Sequence, residues 1–354
     1  MGRFDTLSKE DSMKNGVTLA LCTYNGRGEL YETLKHIDRQ NDIEGIEWEL
    51  LVVDNNSTDG TADYVRKIWP DKKKSRLRIV HEEKQGIAFA RKRALREATY
   101  EYLSFVDDDN WITENWIRRV YELFEAYPNV GIISCPSKAH LESSPPDYFE
   151  VIKGWLAIGE QCDEEGLIEK RPISFWTAGC SFRVLPFRRL EETDYSSCLT
   201  GRTEDETLGG EDHEFCLSLT LMGWDVYFTR DTYIEHNITD DQYSRGYILD
   251  LVENGGKSRP ILDIYRNEYR DRLIESPYLS VAYYLKEYLD KSLRYWAKKW
   301  RPRNGRVLYN QISRALARGR LKGYWACLNQ FEKAKENVRI LKAIRDERGS
   351  KAKD

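Results

Sequence analysis

The chain has 354 residues, 40% hydrophobic and 12% aromatic, with a formal net charge of −4. This is the composition of a soluble globular protein with a full core, of about two domains. Residues 257–354 hold 25 Lys or Arg against 11 Asp or Glu, so an acidic body carries a basic tail, which argues against a simple nucleic-acid binder and for a positive face toward an anionic surface or substrate.

The seven cysteines are scattered without a C-x-x-C pair, which excludes a zinc pattern and a full disulfide framework and fits a reducing cytoplasm. With no apolar leader and no charge-free window of about 20 residues, neither secretion nor membrane spanning is expected.

Residues 1–15 are polar and read as an arm. Val17–Cys22 predicts a first buried strand, ending in the turn-rich loop Thr23–Gly28 before an amphipathic helix over 29–40. Trp48–Val53 predicts a second strand, followed by the polar loop Asp54–Gly60 and a helix to Trp69. A third strand over Leu77–His81 precedes a helix over Gly86–Ala98; a fourth, Tyr102–Val106, precedes a helix over 114–127; Gly131–Cys135 is the fifth. Nearly apolar strands alternating with helices predict a parallel sheet covered on both faces, with ligands at the strands' carboxyl ends.

Between 138 and 175 the pattern weakens to a long loop or lid. Phe175–Arg183 reads as a strand with a small-residue turn. Gly209-Gly210-Glu211-Asp212 opens a helix to Met222, then Trp224–Thr229 returns as a strand and Tyr233–Asn237 closes the compact part. From about 260 onward the pattern is helical and basic. The expected organisation is an arm over 1–15, an α/β domain over 16–256 and a basic helical extension over 257–354.

The fourth strand runs straight into Asp107, Asp108 and Asp109. That much negative charge at the end of a buried strand calls for a compensating cation. Carboxylates are hard ligands, so Mg²⁺ or Mn²⁺ sharing its shell with phosphate is the natural candidate. A helix N-cap at Asp109 or Asn110 is the plain alternative, and it explains one acid rather than three.

Cys22–Asn25, Val52–Thr61, Gly86 with Ala90-Arg91, Asp107–Asp109 and Glu211-Asp212 follow one another in an order and spacing that resembles the family 2 glycosyltransferases. The resemblance covers about residues 17–240. It implies a GT-A fold, Rossmann-like and mostly parallel with helices on both faces, here with a helical C-terminal extension. It also implies transfer of a sugar from a nucleotide donor, expected to be a UDP-sugar, to a hydroxyl of a glycan or lipid-linked glycan. Inversion, an Mn²⁺ or Mg²⁺ ion and a bacterial surface-polysaccharide pathway belong to the same expectation.

Carried onto these residues, the resemblance puts Thr23, Tyr24 and Asn25 beside the base, with Asp54 accepting from a base N–H. Asn56 shares that loop, although residues 55–59 also suit a turn and a helix cap. Gly86 opens the helix whose Arg91 reaches the phosphates with its planar fork of donors, and Lys92 stands where the family usually has Asn. Asp107 falls on the ribose side, Asp108 toward donor sugar or solvent, and Asp109 on the metal, with His236 as a further ligand. Asp212 is the expected general base, with Glu211 beside it at a helix N-terminus that favours ionised carboxylates. His213 would orient the base or the acceptor. Trp176 and Gly179 lie where the family meets its acceptor, though a tryptophan there also suits a core.

In the tail, Leu285, Leu289, Leu293, Trp296 and Trp300 form one helical stripe, interleaved with Lys286, Lys291, Arg294, Lys298 and Lys299 and followed by Arg301 and Arg303. Such a helix can lie peripherally at the inner face of the plasma membrane, but packing of the stripe against the α/β domain or a second subunit is the preferred reading. Two rival functions share the main features. A sugar nucleotidyltransferase would carry a Gly-rich phosphate loop with a basic residue after the first strand, of which Thr23–Gly28 is a poor version. A non-catalytic glycan-binding protein would have little need of Asp109 and Asp212.

Overall fold

Aliphatic runs in the first half of the chain are too short for helices and bounded by turn residues, and they become the strands of a central sheet. The computed structural model describes residues 13–169, 173–202, 207–267, 277–299 and 306–351; Trp300, Arg301, Arg303 and residues 1–12 of the expected arm lie outside them. The first half runs β1 (Lys14–Thr23), α1 (Leu30–Asp38), β2 (Trp48–Asp54), α2 (Thr61–Ile68), β3 (Leu77–His81), α3 (Ile87–Glu97), β4 (Tyr100–Asp107), β5 (Asn110–Ile112), α4 (Trp116–Ala126) and β6 (Val130–Ser134). Next come β7 (Ser137–Leu141), α5 (Phe149–Ile152), β8 (Gly166–Leu167), β9 (Cys180–Arg183), α6 (Leu185–Glu191), β10 (Gly201–Arg202), β11 (Thr207–Leu208), α7 (Glu211–Leu221), β12 (Asp225–Phe228) and β13 (Ile234–Ile238). Helices α8 (Arg245–Lys257), α9 (Arg259–Asn267), α10 (Pro277–Lys299), α11 (Arg306–Ala326) and α12 (Phe331–Lys351) complete the described chain.

The main sheet has the order β3-β2-β1-β4-β9-β6-β12-β8. It is mostly parallel, with β9 running antiparallel between β4 and β6 and β8 antiparallel at the edge. Alternation along the strands divides the core between its faces. Leu19, Leu21, Leu50 and Val52 pack with α1, α2 and α4, whereas Ala20, Leu51, Val53 and Phe105 pack with α3, α6 and α7. The second cluster also takes in Ile261, Leu262 and Tyr265 of α9 and Ala334, Val338 and Leu341 of α12, so two of the C-terminal helices complete the core of the α/β body.

Two stretches differ from expectation. The weakly patterned 138–175 segment contains β7, a strand of alternating burial whose sequence Ser-Lys-Ala-His-Leu is too polar to announce itself. The strand expected over Phe175–Arg183 occupies only its last four residues, because Gly179 sits at φ 75° and Cys180 N–H closes a turn onto the Thr177 carbonyl at 2.9 Å. Glycine is suited to that backbone conformation.

Helices α8 and α11 cross at close range. A Cβ added to Gly319 would lie 2.0 Å from the Glu253 carbonyl oxygen, and one on Gly323 1.9 Å from that of Lys257. Buried Glu253 then accepts from Arg318 and from Lys322, the latter at 2.7 Å.

Candidate active site

Parallel pairing levels the polar strand ends. Thr23 stands opposite Asp54, Cys22 opposite Asp107, and Asp54 opposite His81. The β1 and β2 loops are then stitched together: Asn25 N–H donates to Ser57 Oγ at 2.9 Å, and Thr58 N–H donates to Asn25 Oδ1 at 2.8 Å. Asn25 and Asn56 both take positive φ, which asparagine tolerates better than most residues. Buried Asp54 accepts from Ser57 N–H at 3.0 Å. Asn55, also buried, organises the approach to α3 by donating to the Glu82 and Lys84 carbonyls and accepting from Gly86 N–H at 2.7 Å.

Asp108 accepts from Thr23 Oγ at 2.7 Å, and its carbonyl accepts from Thr33 Oγ at 2.6 Å. This junction is tight, since a Cβ on Gly26 would come within 2.1 Å of Thr23 Oγ and 2.6 Å of Asp108 Oδ2. Asp107 and Asp108 share too little solvent to ionise freely. Burial raises the Asp107 carboxyl, opposed by the Arg91 charge. Burial also pushes Asp108 up to about 7, with the Thr23 hydrogen bond opposing and Asp109 and Asp107 adding to the rise. Arg91 lies buried between Asp107 at 3.4 Å and Glu211 at 3.3 Å; burial disfavours its charge, but the two carboxylates outweigh that and raise its pKa.

His236 reaches this cluster through a second sheet of order β5-β13-β7. Antiparallel pairing puts His236 opposite Asn110, and Asn237 N–H donates to the Asp109 carbonyl at 2.9 Å. His236 Nε2 thereby comes 3.3 Å from Asp109 Oδ2. Burial lowers the His236 pKa, and the hydrogen bond and charge of Asp109 more than reverse the effect. A carboxylate beside an imidazole is a donor set that suits Mn²⁺ or Mg²⁺ when diphosphate and water complete the shell. Among the described residues no group of three or more His, Cys, Asp or Glu forms a fuller cage.

The opposite wall begins at the N-terminus of α7, which carries Glu211 and Asp212 in its first turn. Gly210 precedes them at φ 99°, where a Cβ would meet Ser258 Oγ at 2.6 Å. Burial lowers the pKa of His213, with Asp212 opposing the shift, and its buried Nδ1 has no partner among the described residues. Trp176 is held by its N–H bond to Gln161 Oε1 at 2.7 Å, while its buried indole N–H has no partner among them.

These walls enclose a cavity of about 1000 Å³. Thr23, Tyr24, Gly86, Arg91, Asp107, Asp108, Asp109, Trp176, Glu211, Asp212, His213 and His236 all line it. Asn25, Asp54, Asn56 and Gly179 do not: Asp54 ends β2, Asn25 and Asn56 lie in the loops after β1 and β2, and Gly179 precedes β9. The sequence reading missed Trp155, Asn254, Arg259 and Leu316, which also line the cavity. They come from the weakly patterned segment and from α8, α9 and α11, where no local motif marks them. Burial lowers the pKa of the Arg259 guanidinium, with the Asp263 charge opposing and that of Arg320 adding to the fall.

A mostly parallel sheet with acids at the end of its fourth strand, facing a second pair of acids across one cavity, is the architecture of a GT-A glycosyltransferase. Residues 18–153 match glycosyl transferase family 2. The chain is 23% identical over 235 residues to the succinoglycan biosynthesis protein ExoM of Rhizobium meliloti, across 66% of this chain and 70% of that protein. It is 30% identical over 138 residues to the UDP-Glc:alpha-D-GlcNAc-diphosphoundecaprenol beta-1,3-glucosyltransferase WfaP of Escherichia coli, across 37% of this chain and 52% of that protein. The crystal structure of S. aureus TarS 1-349 in complex with UDP aligns at TM-score 0.50 and 16% identity, covering 89% of this chain and 91% of that one; the likeness is one of fold.

Proposed function

We propose that this glycosyltransferase moves a sugar from a UDP-sugar to a hydroxyl of a glycan or lipid-linked glycan, with inversion and with Asp212 as general base. The carrying observation is that the acids ending β4 and the Glu211-Asp212 pair opening α7 line one cavity of about 1000 Å³. That is the scale of a small-molecule site. The UDP and lipid-linked readings are supported by the relation to WfaP, whose name specifies a UDP-Glc donor and a diphosphoundecaprenol-linked acceptor. A role in polysaccharide biosynthesis is supported in the same way by ExoM.

In this reading Thr23 and Tyr24 flank the base, and Asn25, Asp54 and Asn56 shape the loops around it. Gly86 lets α3 begin where Arg91 can face the phosphates, and Asp107 and Asp108 meet ribose and donor sugar. Asp109 and His236 would hold Mn²⁺ or Mg²⁺, which would supply positive charge to offset that of the diphosphate. Asp212 takes the acceptor's proton as its oxygen attacks the anomeric carbon, Glu211 keeps Arg91 in place, and Trp176, Gly179 and His213 form the acceptor side. Residues 16–256 are the catalytic domain and 257–354 an extension built onto it, in an enzyme of the cytoplasm working at the inner membrane face.

The test is a melting-temperature panel with UDP, GDP, CDP and dTDP, each with Mn²⁺ and with EDTA, since a ligand binding only the folded state raises the midpoint. UDP should stabilise the protein with Mn²⁺ alone, and Asp109→Ala should abolish the shift. A shift with another nucleotide would replace UDP as the carrier. No shift with any of the four would remove the nucleotide site.

A further inference from the structure

Helix α10 is amphipathic with its apolar stripe turned outward. One face is docked: Tyr284 is buried and donates to Asp263 of α9 at 2.9 Å, its ring 6.0 Å from that of Tyr324 on α11, and Glu287 pairs with Arg320 of α11 at 2.6 Å. The opposite face carries Leu285, Leu289, Leu293 and Trp296, spaced by four, four and three residues and so aligned along the helix. Leu289 is 52% exposed, Leu293 69% and Trp296 50%. An aligned apolar stripe of this kind marks an interaction surface, unlike scattered single residues.

The charge around it selects the partner. Among the described side chains, α10 and α11 carry Lys286, Lys291, Arg294, Arg314, Arg318, Arg320 and Lys322 against two acids of their own, Glu287 and Asp290, with Glu253 of α8 engaging Arg318 and Lys322. Both acids are already engaged, Glu287 by Arg320 and Asp290 by Arg294 at 3.1 Å. Lys286 stands exposed beside the stripe. A second copy of the chain docking here would bring one net-positive surface against another, which is repulsive.

We infer that α10 lies in the interface of an anionic lipid surface, with Leu285, Leu289, Leu293 and Trp296 entering the headgroup boundary and the surrounding cations facing lipid phosphates. Apolar burial and attraction to anionic lipid act together in such helices. Among the described residues no helix is long and apolar enough to cross a membrane, so the contact is peripheral. Helix α10 packs on α11, and α11 contributes Leu316 to the cavity wall. One helix layer therefore separates the lipid-facing stripe from the active-site cavity, an arrangement suited to an acceptor that stays anchored in the membrane.

The test is co-sedimentation of the full chain with phosphatidylglycerol vesicles and with phosphatidylcholine vesicles; vesicle binding does not depend on the donor or on the base. The protein should pellet with phosphatidylglycerol and stay in solution with phosphatidylcholine. Binding should weaken at about 1 M salt, where the screening length falls to about 3 Å. L289Q/L293Q should lower the partition coefficient by about tenfold or more. Its melting temperature should stay unchanged, because both side chains are exposed. Equal partitioning of the variant, or no binding of the wild type to phosphatidylglycerol, overturns the assignment. So does light scattering that shows a dimer which L289Q/L293Q dissociates, since a second copy would then cover the stripe.

Discussion

Around Arg91 the protein has placed one buried cation among more carboxylates than it can neutralise. Its guanidinium serves Asp107 and Glu211 at 3.4 and 3.3 Å, leaving Asp108 and Asp109 with a hydrogen bond from Thr23 and a contact with His236. Buried charges of one sign are costly unless compensated, which supports the proposal that the ligand of this cluster brings positive charge with it. Asp212 stands apart on the α7 side, lining the same cavity. Replacing it by Asn keeps the shape and removes the proton acceptor. Asp212→Asn is expected to bind UDP with Mn²⁺ as the wild type does while turnover falls by about 10²–10⁴, measured as UDP release in the presence of acceptor; undiminished turnover would remove Asp212 as the base. The acids were legible because three in a row after an apolar strand are chemically conspicuous. The approach of His236 to Asp109 was expected only from the family resemblance, and no local pattern announces it, because it depends on the antiparallel pairing of β13 with β5 across more than a hundred residues.

Individual elements followed local pattern where burial was one- or two-sided and failed where it was mixed. Strand β2 is buried at every position and reads as an unbroken apolar run. Strand β7 alternates and is polar, and it stayed hidden within what looked like a loop. Glycines in α11 tell a similar story: in sequence they are weak points of a helix, yet in the fold they allow α8 to approach. Adding a side chain at Gly319 must displace the Glu253 carbonyl, which a Cβ would meet at 2.0 Å. Gly319→Val is expected to cost about 3 kcal/mol by overpacking, seen as an earlier midpoint in denaturant with little change in slope. Wild-type stability in that variant would mean that the two helices are not held at this separation.

At the scale of the whole molecule, the C-terminal helices belong to the body they follow. Buried Glu214 of α7 accepts from Cys198 and Leu199 N–H at 2.9 Å and from the Tyr265 hydroxyl of α9 at 2.6 Å; Asn337 of α12 donates to that hydroxyl at 2.9 Å. The helix bearing Asp212 is thus braced by the end of the chain. A chain ending at Asn267 would lose Ala334, Val338 and Leu341 from the main core and is expected to be poorly soluble or to melt well below the full protein. A truncated chain melting cooperatively at the full-length temperature would show that the extension is separable.

Strand–helix alternation, the turn residues at strand ends and the acids that follow β4 are all local, so the chain's own order determined the α/β class, the edge of the sheet where the cavity lies and the residues worth testing there. Nothing local could say that Trp155, Arg259 and Leu316 share the cavity with those acids, that His236 meets Asp109, or that the stripe of α10 faces outward while its other side docks on α11. Those outcomes depend on pairings between distant segments, and a hydrophobic period is the same whether a helix turns its apolar face to the core or to solvent. The packing of the remaining helices decided which it would be.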